Sequence, residues 1–210
     1  MSLIRVGGKD DGGIDLQGWW WLPISQAGQD SSHSPSRYMR MRVLAQCKAE
    51  KKKIGPKYVR EMEGVLHRHA TSMQHIANHP TEAMQAGPIV GLLLSSSPFS
   101  KSATLRAHSS PLPLCLLYVP EISSNLTLDD GVNPADNEPP DDALGSIVFN
   151  PALGGARGIL QGEIEARWEY PPVQGCIGRP GLWWQGKQVP SWTPDTYNPD
   201  LSISPIPNNH

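Results

Sequence analysis

The chain has 210 residues, 38% of them hydrophobic, which is enough for one core-bearing domain with appendages. Its formal net charge of −2 excludes recognition driven by the charge of the molecule as a whole. Three widely spaced cysteines, Cys47, Cys115 and Cys176, argue against a disulfide framework or a zinc knuckle and for a reducing compartment.

Leu3 to Val6 alternates and predicts a short strand. Gly7 to Gly13 is a turn rich in glycine and aspartate. Ile14 to Leu22 predicts a strand with Ile14, Leu16 and Gly18 on one face and Asp15, Gln17 and Trp19 on the other. Pro23 to Pro35 is polar and reads as a loop. Tyr38 to Lys48 predicts the next strand. Met39, Met41, Val43 and Ala45 share one face, and Tyr38, Arg40, Arg42, Leu44, Gln46 and Lys48 share the other. Pro56 suits a first helical turn, and Val59, Met62, Leu66, Met73, Ile76 and Ala77 form an apolar stripe, so a helix is predicted over 56–78.

Ile89 to Ser95 is a continuous apolar run, as in a buried parallel strand. Pro98 to His108 predicts a short helix. Leu112 to Val119 predicts a further buried strand, with Pro113 marking an edge or a strand start. That apolar stretch is far too short to cross a bilayer, so no membrane partner is expected. Glu121 to Gly145 is acidic, proline-rich and aperiodic, and reads as a loop. Leu160 to Tyr170 alternates like a strand, and Leu182 to Val189 suits a small hairpin or edge. Leu153 to Gly158 reads as a turn, because it lacks the ending of a phosphate loop. Antiparallel neighbours first and crossovers later predict an α/β (α+β) fold with a mixed central sheet flanked by helices.

Charge is strongly local. Residues 37–60 hold nine Lys or Arg against one acid, Glu50, whereas residues 121–142 hold seven acids and no base. Such asymmetry marks a nucleic-acid partner, more readily DNA, with Arg40, Arg42, Lys51, Lys52, Lys53, Lys57 and Arg60 as phosphate-binding candidates. Two short motifs about thirty residues apart carry chemistry. Asp15 offers a carboxylate, Gln46 an amide oxygen, Cys47 a backbone carbonyl and Lys48 an ammonium beside a phosphate. Hard oxygen ligands of this kind suit Mg²⁺ or Mn²⁺. The site therefore comprises Asp15, Gln46 and Lys48 as catalytic residues, with Asp15, Gln46 and Cys47 as metal ligands.

Other features have plainer readings. His67, His69, His75 and His79 lack the intervening Glu of a zinc protease motif and read as exposed helix histidines. The tryptophans at 19–21 and 183–184 read as core or sheet-edge residues. Cys47 and Cys115, in apolar runs, read as core thiols. The sequon Asn125-Leu126-Thr127 carries little weight without a secretory signal.

Gly-Gly-x-x-Asp-x-Gly-Ile-Asp from Gly7 to Asp15, followed by Gln46-Cys47-Lys48, resembles the Mrr-type branch of the restriction-endonuclease-like, or PD-(D/E)xK, superfamily. There glutamine often replaces the middle acid. Residues 59–66 look like the helix after the lysine, and Gly91 to Ser95 with Phe99 to Ala103 look like the next strand and helix. More narrowly, the form running to Trp20 and the Ser-Ser-x-x-Phe-Ser-Lys stretch ending at Lys101 look like the fungal mitochondrial required for respiratory growth protein 7 family. The resemblance implies a mitochondrial protein with a nuclease-like core. By it, Asp15 matches the metal-binding aspartate, Gln46 the middle ligand, Lys48 the catalytic lysine and Asp11 a preceding turn acid.

Two departures follow. The core of that superfamily normally opens with a helix, and this chain reaches its first motif within seven residues, so that helix is expected to be lacking. Gln46 brings no negative charge, which weakens metal binding relative to glutamate. The chain is thus expected to divide into a nuclease-like core (1–120), an acidic loop (121–145), a C-terminal extension packed on the core (146–190) and an irregular tail (191–210). The expected function is metal-dependent action on DNA in mitochondria, in support of respiratory growth. The alternative is a catalytically inactive nucleic-acid-binding or assembly factor for mitochondrial genome maintenance or expression.

Overall fold

The computed structural model describes residues 1–8, 12–23, 38–76, 87–120, 145–169 and 179–189. The turn acid Asp11, His79, Cys176, the sequon, the acidic loop up to residue 144 and the tail from 191 lie outside the described residues, as does the side chain of His75.

Six strands form one sheet in sequential order: β1 (Ser2–Arg5), β2 (Leu16–Pro23), β3 (Tyr38–Lys48), β4 (Ile89–Ser95), β5 (Leu114–Tyr118) and β6 (Ser146–Phe149). β1, β2 and β3 are antiparallel, β3 to β5 are parallel, and β6 returns antiparallel to β5. The parallel pairs need crossovers. Between β3 and β4 lies helix α1 (Pro56–Ile76), and between β4 and β5 lies helix α2 (Lys101–His108). A four-residue helix α3 (Pro151–Gly154) follows β6. A second sheet of β7 (Ile164–Glu169), β8 (Arg179–Trp184) and β9 (Lys187–Gln188) completes the described elements. No helix among the described residues is long and apolar enough to cross a membrane.

The sheet is buried on both faces, which is why β4 and β5 read as unbroken apolar runs. Leu44, Leu93, Leu114 and Leu116 pack with Val59, Met62, Val65 and Leu66 of α1 and with Ala103 and Ala107 of α2. Met41, Val43, Ala45, Val90 and Leu92 face the other way, onto Leu153, Leu160, Ile164 and Trp184. Each fully buried aliphatic side chain contributes roughly 1.5–3 kcal/mol relative to exposure. A buried carboxylate, Glu63 of α1, accepts from Arg106 Nε at 3.1 Å and ties α1 to α2.

Several expectations shift. α2 starts three residues later than Pro98, because Ser100 caps it and Phe99 bridges to Ile54 in a parallel contact. Gln161 and Gly162 adopt positive φ, so β7 opens at Ile164 and not at Leu160. Leu153 to Gly158 begins inside α3 and is not a turn throughout. β5, with its start set just past Pro113, is interior because β6 covers its edge, a strand the periodicity missed. Trp19, Trp20, Trp21 and Trp184 are core residues, as read.

Gly18 pairs with Leu3 across the β1–β2 ladder, and a Cβ there would run into the Ser2 carbonyl oxygen. Gly18→Ala is therefore expected to lift β1 off the edge and destabilise the chain by about 1–3 kcal/mol. Urea unfolding of the two proteins checks this.

Candidate functional site

The first motif is held by backbone bonds. Gly12 and Gly13 both take positive φ, at 64° and 84°, conformations that glycine adopts without strain. The Asp15 N–H donates to the Ala45 carbonyl at 2.9 Å, and the Asp15 carbonyl accepts from Val6 and Gly7 at 2.9 and 3.1 Å. Asp15 is thus fixed between the end of β1 and the end of β3. One carboxylate oxygen accepts from the Cys47 N–H at 2.7 Å. Alternation within a strand turns the Cys47 carbonyl to the same edge as its N–H, the edge that Asp15 occupies.

Gln46 sits one residue earlier in β3, 3% exposed, and its Nε2 donates to the Gly13 carbonyl. A Cβ at Gly13 would lie 2.8 Å from that nitrogen, so glycine makes room for the amide. The other amide atom, Oε1, is buried with no hydrogen-bond partner among the described residues. Lys48 follows on the same face. Its Nζ lies 3.9 Å from Glu61 and 5.2 Å from the centre of the Tyr58 ring, both on α1. Tyr58 donates its hydroxyl to Glu50, and this bond pushes its phenol pKa up. Asp15, Gln46 and Lys48 therefore gather at the carboxyl end of β3, where open α/β sheets place ligands.

The loop after β3 is fastened to the loop after β4. Ser96 N–H donates to the Lys48 carbonyl at 3.1 Å, Ile54 N–H to Pro98 at 2.9 Å, Ser100 N–H to Ile54 at 2.9 Å, and the Ser97 hydroxyl to Glu50. Lys51, Lys52, Lys53, Lys57 and Arg60 are exposed around this edge. Lys101, at the start of α2, is exposed there too, although charge counting over 37–60 passed it by.

Arg40 and Arg42 are not part of that group. Six residues of strand separate Arg42 from Lys48, about 20 Å. Arg40 stacks over Trp19 at 4.0 Å, and Arg42 donates to Gln17 at 3.4 Å. Cys47 is a correction: its thiol is exposed, because β2 pairs with β3 only as far as Ala45. Burial and the Asp15 charge raise that thiol's pKa, with Lys48 opposing. Cys115 is buried as read, its pKa pushed up to about 12. His69 also departs from the expected exposed histidine. It is half-buried, and burial together with Arg42 and Arg68 lowers its pKa.

The donor set fits a hard divalent cation in kind, through one carboxylate, one orphaned amide oxygen and one backbone carbonyl. It is short of charge: no group of three or more His, Cys, Asp or Glu able to hold a metal occurs among the described residues. Tyr58, Glu61 and Arg68 escaped sequence reading, because their place depends on how α1 lies across the sheet.

A family model described as required for respiratory growth protein 7 matches residues 1–139. An uncharacterized mitochondrial protein of Schizosaccharomyces pombe is 33% identical over 119 residues, which cover 57% of this chain and 38% of that protein. The chain therefore spans well under half the length of that relative. No solved structure matches.

Proposed function

Since this chain belongs to the required for respiratory growth protein 7 family, we propose that it carries a restriction-endonuclease-like site for metal-dependent cleavage of DNA. The protein is mitochondrial, like its fission-yeast relative. The observation that carries the proposal is the Gln46 amide. Its nitrogen is committed to Gly13, which leaves a buried oxygen with no partner among the described residues, beside the strand end that holds Asp15. An unpaired buried acceptor costs roughly 1–3 kcal/mol, and a cation removes that cost.

Asp15 and the oxygens of Gln46 and Cys47 would hold Mg²⁺ or Mn²⁺. When bound, such an ion supplies Lewis acidity and a more acidic water. Lys48 places a positive charge where the phosphate gains negative charge. The exposed lysines at 51–53 and 57 hold neighbouring phosphates, so binding weakens steeply with salt.

One observation favours a second reading, a factor that binds nucleic acid without turnover. Asp15 is the single carboxylate among the proposed ligands, and one of its oxygens is already engaged by Cys47. The test incubates plasmid DNA with the full chain in Mg²⁺, in Mn²⁺ and in chelator. Nicking that needs metal and disappears in Asp15→Asn is the expected result. Salt-sensitive binding with no product under either metal would establish the second reading instead.

A further inference from the structure

The exposed flank of α1 carries an oddity. Lys57, Gly64 and Arg68 fall at spacings of seven and four, so they line up along one side of the helix. Glycine in a helix interior is unfavourable relative to alanine. Packing does not require it here: a Cβ on Gly64 would meet nothing within 4 Å among the described residues. At one end of this line stand Lys57 and the exposed loop lysines Lys51, Lys52 and Lys53. At the other, the exposed Arg68 donates to the Gly12 carbonyl at 3.2 Å, in the turn that leads to Asp15. Arg60 adds a further cation on α1. Among the described residues two acids stand near the Lys57 end: Glu61, one turn on and drawn towards Lys48, and Glu50, bonded to the Tyr58 hydroxyl.

We propose that this flank of α1 is a rail for a sugar–phosphate strand, with Arg68 binding a phosphate on the far side of the Asp15–Lys48 site from the loop lysines. Gly64 keeps the middle of the rail low enough for a backbone to approach. The chemistry fits a polyphosphate because cations stand at both ends, Gly64 leaves the interval low, and the Glu61 carboxylate within it is drawn to Lys48. Eleven residues of helix from Lys57 to Arg68 span about 16 Å, long enough to follow more than one phosphate of a strand. This inference rests on the nucleic-acid reading above and does not require cleavage.

The test measures anisotropy of a labelled DNA oligonucleotide, single-stranded and duplex, with the full chain and its variants. Arg68→Glu is expected to weaken binding about tenfold or more, and Arg68→Lys to stay within about threefold, because the charge is what the phosphate feels. Gly64→Leu is expected to weaken binding about tenfold at an unchanged or raised melting temperature, and Gly64→Ala to raise the melting temperature. If Arg68→Glu and Gly64→Leu bind like the wild type while Lys51→Glu/Lys52→Glu/Lys53→Glu does not, the rail is wrong and the nucleic-acid reading stands. If the wild-type chain binds neither oligonucleotide, both fall.

Discussion

Replacement of Asn150 by alanine is expected to cost about 3–4 kcal/mol of stability, near the upper end for a point substitution. Asn150 is 1% exposed and sits between β6 and α3. Its Oδ1 accepts from Leu114 N–H at 2.9 Å and from Leu153 N–H at 3.1 Å, so one oxygen starts β5 and caps α3. Its Nδ2 donates to the carbonyls of Ala107, Ser110 and Leu112 at 3.0, 3.2 and 2.7 Å. One amide thus ties the end of α2, the turn after it and the start of β5 to the junction of β6 and α3. Alanine would orphan buried groups on both sides, each costing roughly 1–3 kcal/mol, partly relieved by shared partners. For a domain of this size the melting temperature should fall by about 10 °C.

Aspartate at 150 separates a hub from a simple cap. At a surface N-cap, Asn and Asp are nearly equivalent. Here Asn150→Asp would keep both acceptor bonds but turn a carboxylate oxygen towards three carbonyl oxygens, in a place where water cannot intervene. It should therefore be at least as damaging as alanine at neutral pH. Its deficit should shrink in acid, because the protonated carboxyl regains a donor. Thermal unfolding of the three proteins at neutral and mildly acid pH checks both statements. Near-equality of Asn150→Asp with the wild type would show that only the cap matters.

Asn150 also shows where sequence reading ends. Asn150-Pro151 before Ala152-Leu153 is a legible helix start, with a capping side chain and proline at the first turn. The three carbonyls from residues 107–112 are not legible, because they depend on a fold-back between distant segments. The central strands show the opposite case. The alternation in 38–48 separates Met41, Val43 and Ala45 from Leu44, and the two sets do enter different cores. Alternation also put Gln46 and Lys48 on one face, and the β2–β3 register brings Asp15 to Cys47. β6 was missed because four residues with no periodicity are defined only by the partner they find in β5. Arg40 and Arg42 were grouped with the loop lysines because charge counted along the chain ignores the length of a strand. Tyr58, Glu61 and Arg68 needed the antiparallel run of α1 over β3 before they could be linked to the site.

If the proposed site cleaves DNA, Lys48→Ala is expected to lower that rate about 10³-fold, the scale on which an aligned charge stabilises a transition state. Binding should change far less, within about threefold, because Lys48 is one cation among several at that edge and its loss removes about one unit from the salt slope. Glu61 gives the control. Its pair with Lys48 spans 3.9 Å with the Glu61 side chain 51% exposed, so the pair is worth about 0–1 kcal/mol and a phosphate can displace it. Glu61→Gln should therefore leave cleavage within about threefold of the wild type. Lys48→Arg should recover only part of the rate, since a planar guanidinium cannot replace a compact ammonium squeezed between Tyr58 and Glu61. Single-turnover cleavage and equilibrium binding, measured on the same four proteins, read the two effects apart. A Lys48→Ala protein that loses rate and affinity together would make Lys48 an ordinary phosphate anchor. The weight of the site would then shift to Asp15 and Gln46.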